Sequence, residues 1–306
     1  MATVNTWQKC RQSSGWSGGY AEWIEGDTAY LSVVFTWLLA KAYQRAVWLR
    51  AEGYKVRAGG PAVALHPDAL EGVAEVGGQV DALNRHNPSA TFTSRGCIRK
   101  CPFCVVPRIE GDLRELTDWE PRRIVCDNNP LACSQAHFDR MVDRLKPIHN
   151  IDFQGLDARL LTDYHAERLA ELDLKVAHLA WDDWRLELPF MAAFDRLTKA
   201  GIPARKIGVY VLIGFNDTPE DALYRLVTIR DLGALPNPMR FQPLDAKRKN
   251  EYVGENWTHR ELQRYMRYWS NLRVTRGTPF EEFASRGEEP RGVSQDTAQL
   301  QLLETT

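Results

Sequence analysis

The chain has 306 residues, 44% of them hydrophobic, which is enough for one large core or for one large and one small core. Its 39 basic and 40 acidic residues nearly cancel, so bulk charge gives no argument for binding nucleic acid or an anionic membrane. The longest apolar run, Ala29 to Ala40, is too short to span a bilayer, and the polar first residues lack the apolar core of a signal peptide. We therefore expect a cytoplasmic protein without membrane contact, whose six cysteines stay reduced.

The first ninety residues predict a small α/β domain. Residues 1–26 show no periodicity and are interpreted as an irregular lead-in. Residues 28–37 are β-branched and aromatic, which predicts a strand, and residues 38–52 have apolar side chains at helical spacing. A second short strand is predicted at residues 54–57. Because strand–helix–strand is the unit of an open α/β sheet, we assign residues 27–88 to a small, truncated Rossmann-like domain.

From residue 89 onward, predicted strands and helices alternate. The six predicted strands cover residues 90–94, 123–126, 150–154, 175–180, 206–213 and 238–242. Such alternation indicates parallel βαβ units, and right-handed crossovers curl a sheet of this kind. The sequence thus predicts an α/β fold with a (β/α)6 partial TIM barrel and a C-terminal helix over residues 89–276. Residues 277–306 are polar and weakly patterned, which predicts a mobile tail.

Three cysteines lie in the loop that follows the first predicted barrel strand. Cys97, Cys101 and Cys104 have C-x3-C-x2-C spacing, and thiols so close together in a reducing compartment indicate a metal site rather than disulfides. A structural zinc site usually takes four ligands, and no second ligand pair is evident. A [4Fe–4S] cluster has four irons, so three cysteines would leave one iron open for a ligand. A zinc site or a non-catalytic iron–sulfur site remains an open alternative.

The cysteine motif, with Phe103 before its last cysteine and the strand–helix rhythm after it, resembles the radical S-adenosylmethionine (radical SAM) superfamily. The resemblance implies that Cys97, Cys101 and Cys104 hold a [4Fe–4S] cluster whose open iron chelates S-adenosylmethionine (SAM). It further implies reductive cleavage of SAM to a 5′-deoxyadenosyl radical, which takes hydrogen from a substrate, and a flavodoxin- or ferredoxin-type reductant. The substrate, whether a small molecule, a peptide or RNA, and the catalytic residues stay unidentified.

The same resemblance implies further SAM contacts near the ends of the predicted strands. Asp127 stands where the family often has a Gly-Gly-Glu-like segment for the SAM amino group, and Arg159 suits a carboxylate. A turn, a surface ion pair or a helix cap is the alternative reading for such polar residues. The full set of predicted cofactor-binding residues is Phe103, Asp127, Arg159, Asp182, Gly214 and Gln242.

The N-terminal unit is weakly similar to the small domains of cobalamin-binding radical SAM proteins and of methylthiotransferases. Cobalamin is disfavoured because the D-x-H-x-x-G signature of its lower ligand is absent. Methylthio transfer is disfavoured because no second three-cysteine set lies upstream. Cys10, Cys126 and Cys133 are left over, and they either ligate an auxiliary cluster or act as small buried hydrophobic residues.

Overall fold

The computed structural model describes residues 15–77, 82–270, 275 and 278–285. Within these residues, a four-stranded sheet and a six-stranded sheet each pack against a hydrophobic core of their own. The predicted domain boundary at residues 88/89 falls between the two sheets and stays a prediction. Every described helix is too short or too polar to cross a lipid bilayer.

The N-terminal sheet is mixed rather than Rossmann-like. Its strands lie in chain order, β1 (Tyr20–Glu25), β2 (Thr28–Val33), β3 (Lys55–Gly59) and β4 (Glu75–Val76), and its helices are α1 (Leu39–Ala51), α2 (Pro61–Leu65) and α3 (Leu83–His86). The parallel pair β2–β3, joined by α1, is the predicted strand–helix–strand unit.

Strand β1 corrects the expectation of an irregular lead-in, as far as residues 15–26 are concerned. It pairs antiparallel with β2 through a tight turn at Gly26 and Asp27, where Gly26 has φ +60°. A glycine at the first position of a two-residue loop is typical of such hairpins. The strand was missed because four consecutive side chains are buried, which hides the alternation that marks a half-exposed strand. Residues 1–14 lie outside the described residues.

The larger sheet contains the six predicted parallel strands. In order across the sheet they are β12 (Leu235–Arg240), β11 (Ile207–Ile213), β10 (Leu174–Ala180), β9 (Ile151–Leu156), β8 (Ile124–Val125) and β5 (Ala90–Thr91). Two short strands, β6 (Ser94–Arg95) and β7 (Arg114–Glu115), form a separate antiparallel pair. The helices are α4 (Val106–Ile109), α5 (Gln135–Leu145), α6 (Asp163–Ala170), α7 (Glu187–Lys199), α8 (Pro219–Asp231), α9 (His259–Trp269) and α10 (Phe280–Ser285). The mixed α/β class with a six-stranded parallel sheet is therefore confirmed.

The two faces of this sheet differ in chemistry. Helices α5 to α9 contribute apolar side chains to the core on one face, where Phe153, Leu179 and Val209 are fully buried. Parallel strand partners share a face, so the pairing register identifies the residues of the other face. This inner face comprises Ala90, Ile124, Cys126, Asp152, Gln154, Val176, His178, Ala180, Gly208, Tyr210, Leu212, Leu235, Asn237 and Met239.

The C-terminal segment is ordered further than its polarity predicts. Phe280 is buried against Tyr265 and Tyr268 of α9, and Phe283 also contacts Tyr268. The two phenylalanines are three residues apart, which places them on one side of α10. Part of the segment expected to be a mobile tail thus forms a helix that packs on α9, and residues 286–306 lie outside the described residues.

Candidate metal and cofactor site

The cysteine loop begins and ends at a fixed base formed by β6 and β7. The carboxylate of Glu110 accepts hydrogen bonds from Gly96 N at 2.8 Å, Arg95 Nε at 3.0 Å and Asn128 Nδ2 at 2.9 Å. Gly96 has φ +75°, and a Cβ atom there would lie 2.1 Å from the carbonyl oxygen of Asp112. Only glycine fits this position, so Gly96 and Glu110 together fix the backbone just before Cys97.

The three predicted metal ligands are partly buried and close enough to influence one another. Burial raises the pKa of the Cys104 thiol, and the charges of Cys101, Cys97 and Asp182 raise it further, against a backbone hydrogen bond from Val106. Among the described residues, no three His, Cys, Asp or Glu side chains are grouped tightly enough to hold a metal ion. The assignment of Cys97, Cys101 and Cys104 as metal ligands therefore stays a prediction.

Asp157, at the carboxyl end of β9, connects the cysteine loop to two arginines. It accepts hydrogen bonds from Arg99 Nε at 3.0 Å and from Arg159 Nε and Nη2 at 2.7 and 3.0 Å. Burial alone would raise the pKa of Asp157, but the hydrogen bonds and charge of Arg159, with the help of Arg99, hold that pKa below its ordinary value. Arg159 also interacts with the thiol of Cys101. The guanidinium group of Arg159 thus lies beside the Cys101 thiol, where it would stabilise thiolate charge, and Asp157 joins it to Arg99.

The side chain of Asn129 lies beside the Cys97 thiol. It is 2% exposed, and its amide nitrogen donates to Cys97 Sγ at 3.7 Å and to Asp157 Oδ2 at 3.3 Å. The amide oxygen is buried and accepts no hydrogen bond from any residue that the structure describes. Because an unsatisfied buried acceptor costs about 1–3 kcal/mol, this oxygen fits a ligand that brings a donor to Cys97. The amide oxygen of Asn129 and the neighbouring cysteine thiols fit a metal cluster whose bound ligand carries a hydrogen-bond donor.

Asp127 is occupied within the protein. Its oxygens accept hydrogen bonds from Thr93 N at 2.7 Å, Thr93 Oγ1 at 2.6 Å and Ser94 Oγ at 2.6 Å, and burial raises its pKa. These bonds tie the chain between β5 and β6 to the end of β8. A role of Asp127 in SAM binding stays a prediction. The segment after the second barrel strand was the available sequence signal, but Asn129, two residues further on, is the side chain that faces Cys97.

Asp182 lies two residues beyond the end of β10 and belongs to the same charge network. Burial raises its pKa to about 6, although a backbone hydrogen bond from Leu212 and the charges of Arg225 and Arg159 lower it. The charge of Asp182 in turn raises the pKa of Cys104. The structure therefore brings two of the predicted contacts, Arg159 and Asp182, together with the cysteine loop.

Phe103 and Gly214 lie at an aromatic cluster. Phe103 contacts Phe215 edge to face, with ring centroids 5.9 Å apart, and Phe215 packs on Phe241 at 4.7 Å. Gly214 has φ +78° and holds the turn that places Phe215. The last predicted contact, Gln242, is engaged within the protein, because both ends of its amide bond Asn250 in the following loop.

The remaining cysteines show no shared site. Cys10 lies outside the described residues. Burial raises the pKa of Cys126 to about 12 and that of Cys133 to about 11, and nearby carboxylates add to both shifts. Such surroundings favour neutral thiols, whereas metal ligation takes the thiolate. These two side chains suit the reading as small buried hydrophobic groups, and an auxiliary cluster stays untested.

Comparison with known proteins assigns no family. Neither a protein-family model nor a curated protein sequence matches this chain at a significant level. Function has to be inferred from the cysteine motif and from the groups that surround it.

Proposed function

We propose that this chain is a radical SAM enzyme in which Cys97, Cys101 and Cys104 hold a [4Fe–4S] cluster. The six-stranded sheet would then be the curved wall of a (β/α)6 partial TIM barrel. One observation carries the proposal: the C-x3-C-x2-C loop follows the first strand at the carboxyl edge of a six-stranded parallel sheet. Ligands bind at this edge in parallel α/β folds. When bound, the cluster and SAM would supply one-electron cleavage of a C–S bond.

The polar residues beside the thiols would orient the methionine part of SAM. Asn129 Oδ1 is a buried, unpaired acceptor beside Cys97 and suits the ammonium group. Arg99 and Arg159 supply positive charge that offsets the thiolates and suits a carboxylate. Asp157 holds both guanidinium groups in place, so their positions would be set before a ligand arrives.

The adenosine part would contact the other half of the site. The aromatic cluster of Phe103, Phe215 and Phe241 offers ring faces and edges on which a nucleobase packs favourably. Asp182, whose pKa is about 6, is mostly ionised at neutral pH and would accept hydrogen bonds from ribose hydroxyls. Gln242 would close the rim of this half through its loop with Asn250.

The proposal also requires an electron donor and a reducing environment. A flavodoxin- or ferredoxin-type protein in the cytoplasm would meet both requirements. Cobalamin and an auxiliary cluster are not part of the proposed reaction. The proposed reaction therefore needs one cluster, SAM and a substrate that supplies a hydrogen atom.

Anaerobic reconstitution followed by metal analysis tests this proposal. We expect about four irons and four sulfides per chain, and 5′-deoxyadenosine on reduction with SAM. Cys101→Ala should abolish formation of 5′-deoxyadenosine, while Cys133→Ala, which removes a thiol outside the motif, should leave it unchanged. Zinc in place of iron, or a cluster that never yields 5′-deoxyadenosine, would instead support a non-catalytic zinc or iron–sulfur protein.

A further inference from the structure

The inner face of the six-stranded sheet contains a polar cluster formed by Asp152, Gln154, His178 and Tyr210. These residues come from three adjacent strands, β9, β10 and β11. The strand register places His178 opposite Gly208, where a Cβ atom would lie 2.6 Å from His178 Nδ1. Glycine at 208 therefore makes room for the imidazole, which stacks on Tyr210 with ring centroids 4.6 Å apart and an interplanar angle of 8°.

Hydrogen bonds fix the cluster but leave it incomplete. Tyr210 donates to Gln154 Oε1 at 2.7 Å, and Gln154 Nε2 donates to Asp152 Oδ1. His178 Nε2 lies 3.3 Å from the same Oδ1 atom. Asp152 Oδ2 has no hydrogen bond to any other described residue, and the Asp152 side chain is 25% exposed. One carboxylate oxygen is thus held in a fixed position and has no partner among the described residues.

The carboxylate of Asp152 is the main charged group among the residues of this face. Among the inner-face residues defined above, Asp152 is the only acid, and none is lysine or arginine. Burial raises the pKa of Tyr210 to about 12, and the charge of Asp152 contributes to that shift. A ligand that brings positive charge would be attracted here, whereas an anion would meet the unpaired carboxylate oxygen of Asp152.

The cluster lies below the edge of the sheet that carries the cysteine loop. Asp152 and Gln154 precede the last residue of β9 by four and two residues, and His178 and Tyr210 precede the last residues of β10 and β11 by two and three. At about 3.3 Å per residue, the cluster is about 7–13 Å down the strands from that edge. A compound bound here would extend towards the groups proposed to hold SAM.

We propose that the inner face binds an ammonium-bearing substrate, with the carboxylate of Asp152 as its counter-ion. The stacked rings of His178 and Tyr210 form one wall of this subsite, and Leu212 and Met239 continue the same face with apolar surface. The role of the bound amine as substrate rests on the proposed radical SAM function. Binding of the amine itself needs only this face.

Saturation-transfer NMR on the reconstituted full chain tests the subsite, with n-butylammonium and butyrate as matched cationic and anionic probes. At neutral pH we expect butylammonium, and not butyrate, to shift the ring signals of His178, which lies beside Asp152. Butyrate held by Arg99 and Arg159 of the proposed SAM site would leave these signals unchanged. Asp152→Asn should weaken butylammonium binding at least tenfold, and Asp152→Glu, which keeps the charge, should restore most of it. Asp163→Asn, which removes a carboxylate that is 80% exposed on α6, should have no effect.

Equal shifts of the His178 ring signals by the two probes, no binding of butylammonium, or equal affinity for butylammonium in the Asp152→Asn and Asp163→Asn variants overturns the proposal. If Asp152→Asn does not fold, the comparison of the two probes on the wild-type chain decides, with the ring signals of His178 as the local reporter. Butylammonium binding in a protein that forms no 5′-deoxyadenosine would refute the proposed function alone. Formation of 5′-deoxyadenosine without amine binding would refute this subsite alone.

Discussion

The amide nitrogen of Asn129 donates to the thiol of Cys97 across 3.7 Å, while the amide oxygen of the same side chain stays buried and unpaired. One side chain thus supports a predicted metal ligand and offers an acceptor next to it. Asn129 reaches this position because it follows β8, whose neighbour β5 leads into the cysteine loop.

Replacement of Asn129 should separate SAM binding from cluster binding. We expect Asn129→Ala to weaken SAM binding about tenfold, because the variant loses one or two hydrogen bonds to a charged group. The iron content should stay near that of the wild type. A SAM titration followed by electron paramagnetic resonance measures both quantities. Asn256→Ala, which truncates an exposed amide, is the matched control. Unchanged SAM affinity in Asn129→Ala would remove this residue from the site.

Glu110 should act on the metal rather than on the fold. Its carboxylate orients the backbone before Cys97, and loss of a partner that orients metal ligands typically costs ten- to a hundredfold in metal affinity. We therefore expect Glu110→Ala to retain iron at least tenfold less tightly against a chelator. Glu120→Ala, at a position that is 77% exposed, should behave as the wild type. Wild-type iron retention in Glu110→Ala would show that the hydrogen bonds of Glu110 are not needed to hold the metal.

A buried ion pair should dominate the stability of the loop that carries Gly214. Arg225 is fully buried and donates to Asp217 at 2.6 Å, and Asp217 also accepts from Gly214 N and Trp257 Nε1. Removal of one partner leaves an uncompensated buried charge, so Arg225→Met should lower the free energy of unfolding by about 3–5 kcal/mol. Urea denaturation measures this value.

The double variant Arg225→Met/Asp217→Asn removes both charges of that pair. It should recover part of the lost stability, because no buried charge then remains unpaired. If the double variant is less stable than Arg225→Met by the full cost of a second, independent substitution, the two groups are not coupled.

His86 should make stability depend on pH. Its ring bonds Ser17 at 2.5 Å and Ser32 at 2.8 Å, and burial lowers its pKa from 6.5 to about 4. Between these two pKa values the unfolded chain binds a proton at His86 that the folded chain does not bind. The free energy of unfolding therefore falls as the pH drops from 6.5 towards 4, and above pH 6.5 it does not depend on this group. The full effect is about 3 kcal/mol.

Unfolding midpoints measured across this pH range test the prediction for His86. His86→Gln keeps a polar side chain but cannot titrate, so the difference in stability between wild type and variant should shrink as the pH falls. Parallel pH profiles for the two proteins would contradict the assignment.

The sequence predicted the larger sheet well because its strands are apolar runs separated by helices with caps. Thr218 with Pro219 and Thr258 with Glu261 begin their helices as the capping pattern predicts. The position of the cysteine loop followed from the same alternation.

Other features depend on contacts that no local pattern encodes. Asn129 and Asp127 lie in the same short segment of the sequence, and their surroundings differ only in the folded chain. Thr93 and Ser94 donate to Asp127, whereas Asn129 donates to Cys97. The subsite at Asp152 and His178 depends on the register between β9 and β10, which includes irregularities that sequence periodicity cannot reveal. Helix α10 was missed because Phe280 and Phe283 are too few to give a periodic signal.

The most direct test of the proposed function is the electron paramagnetic resonance spectrum of the reduced, reconstituted protein before and after addition of SAM. If an iron of the cluster is open to SAM beside Asn129, the signal should change on addition of SAM in the wild type, and the cluster should be lost in Cys97→Ala. A cubane signal that is identical with and without SAM would contradict the proposal, because every iron would then be closed to the ligand.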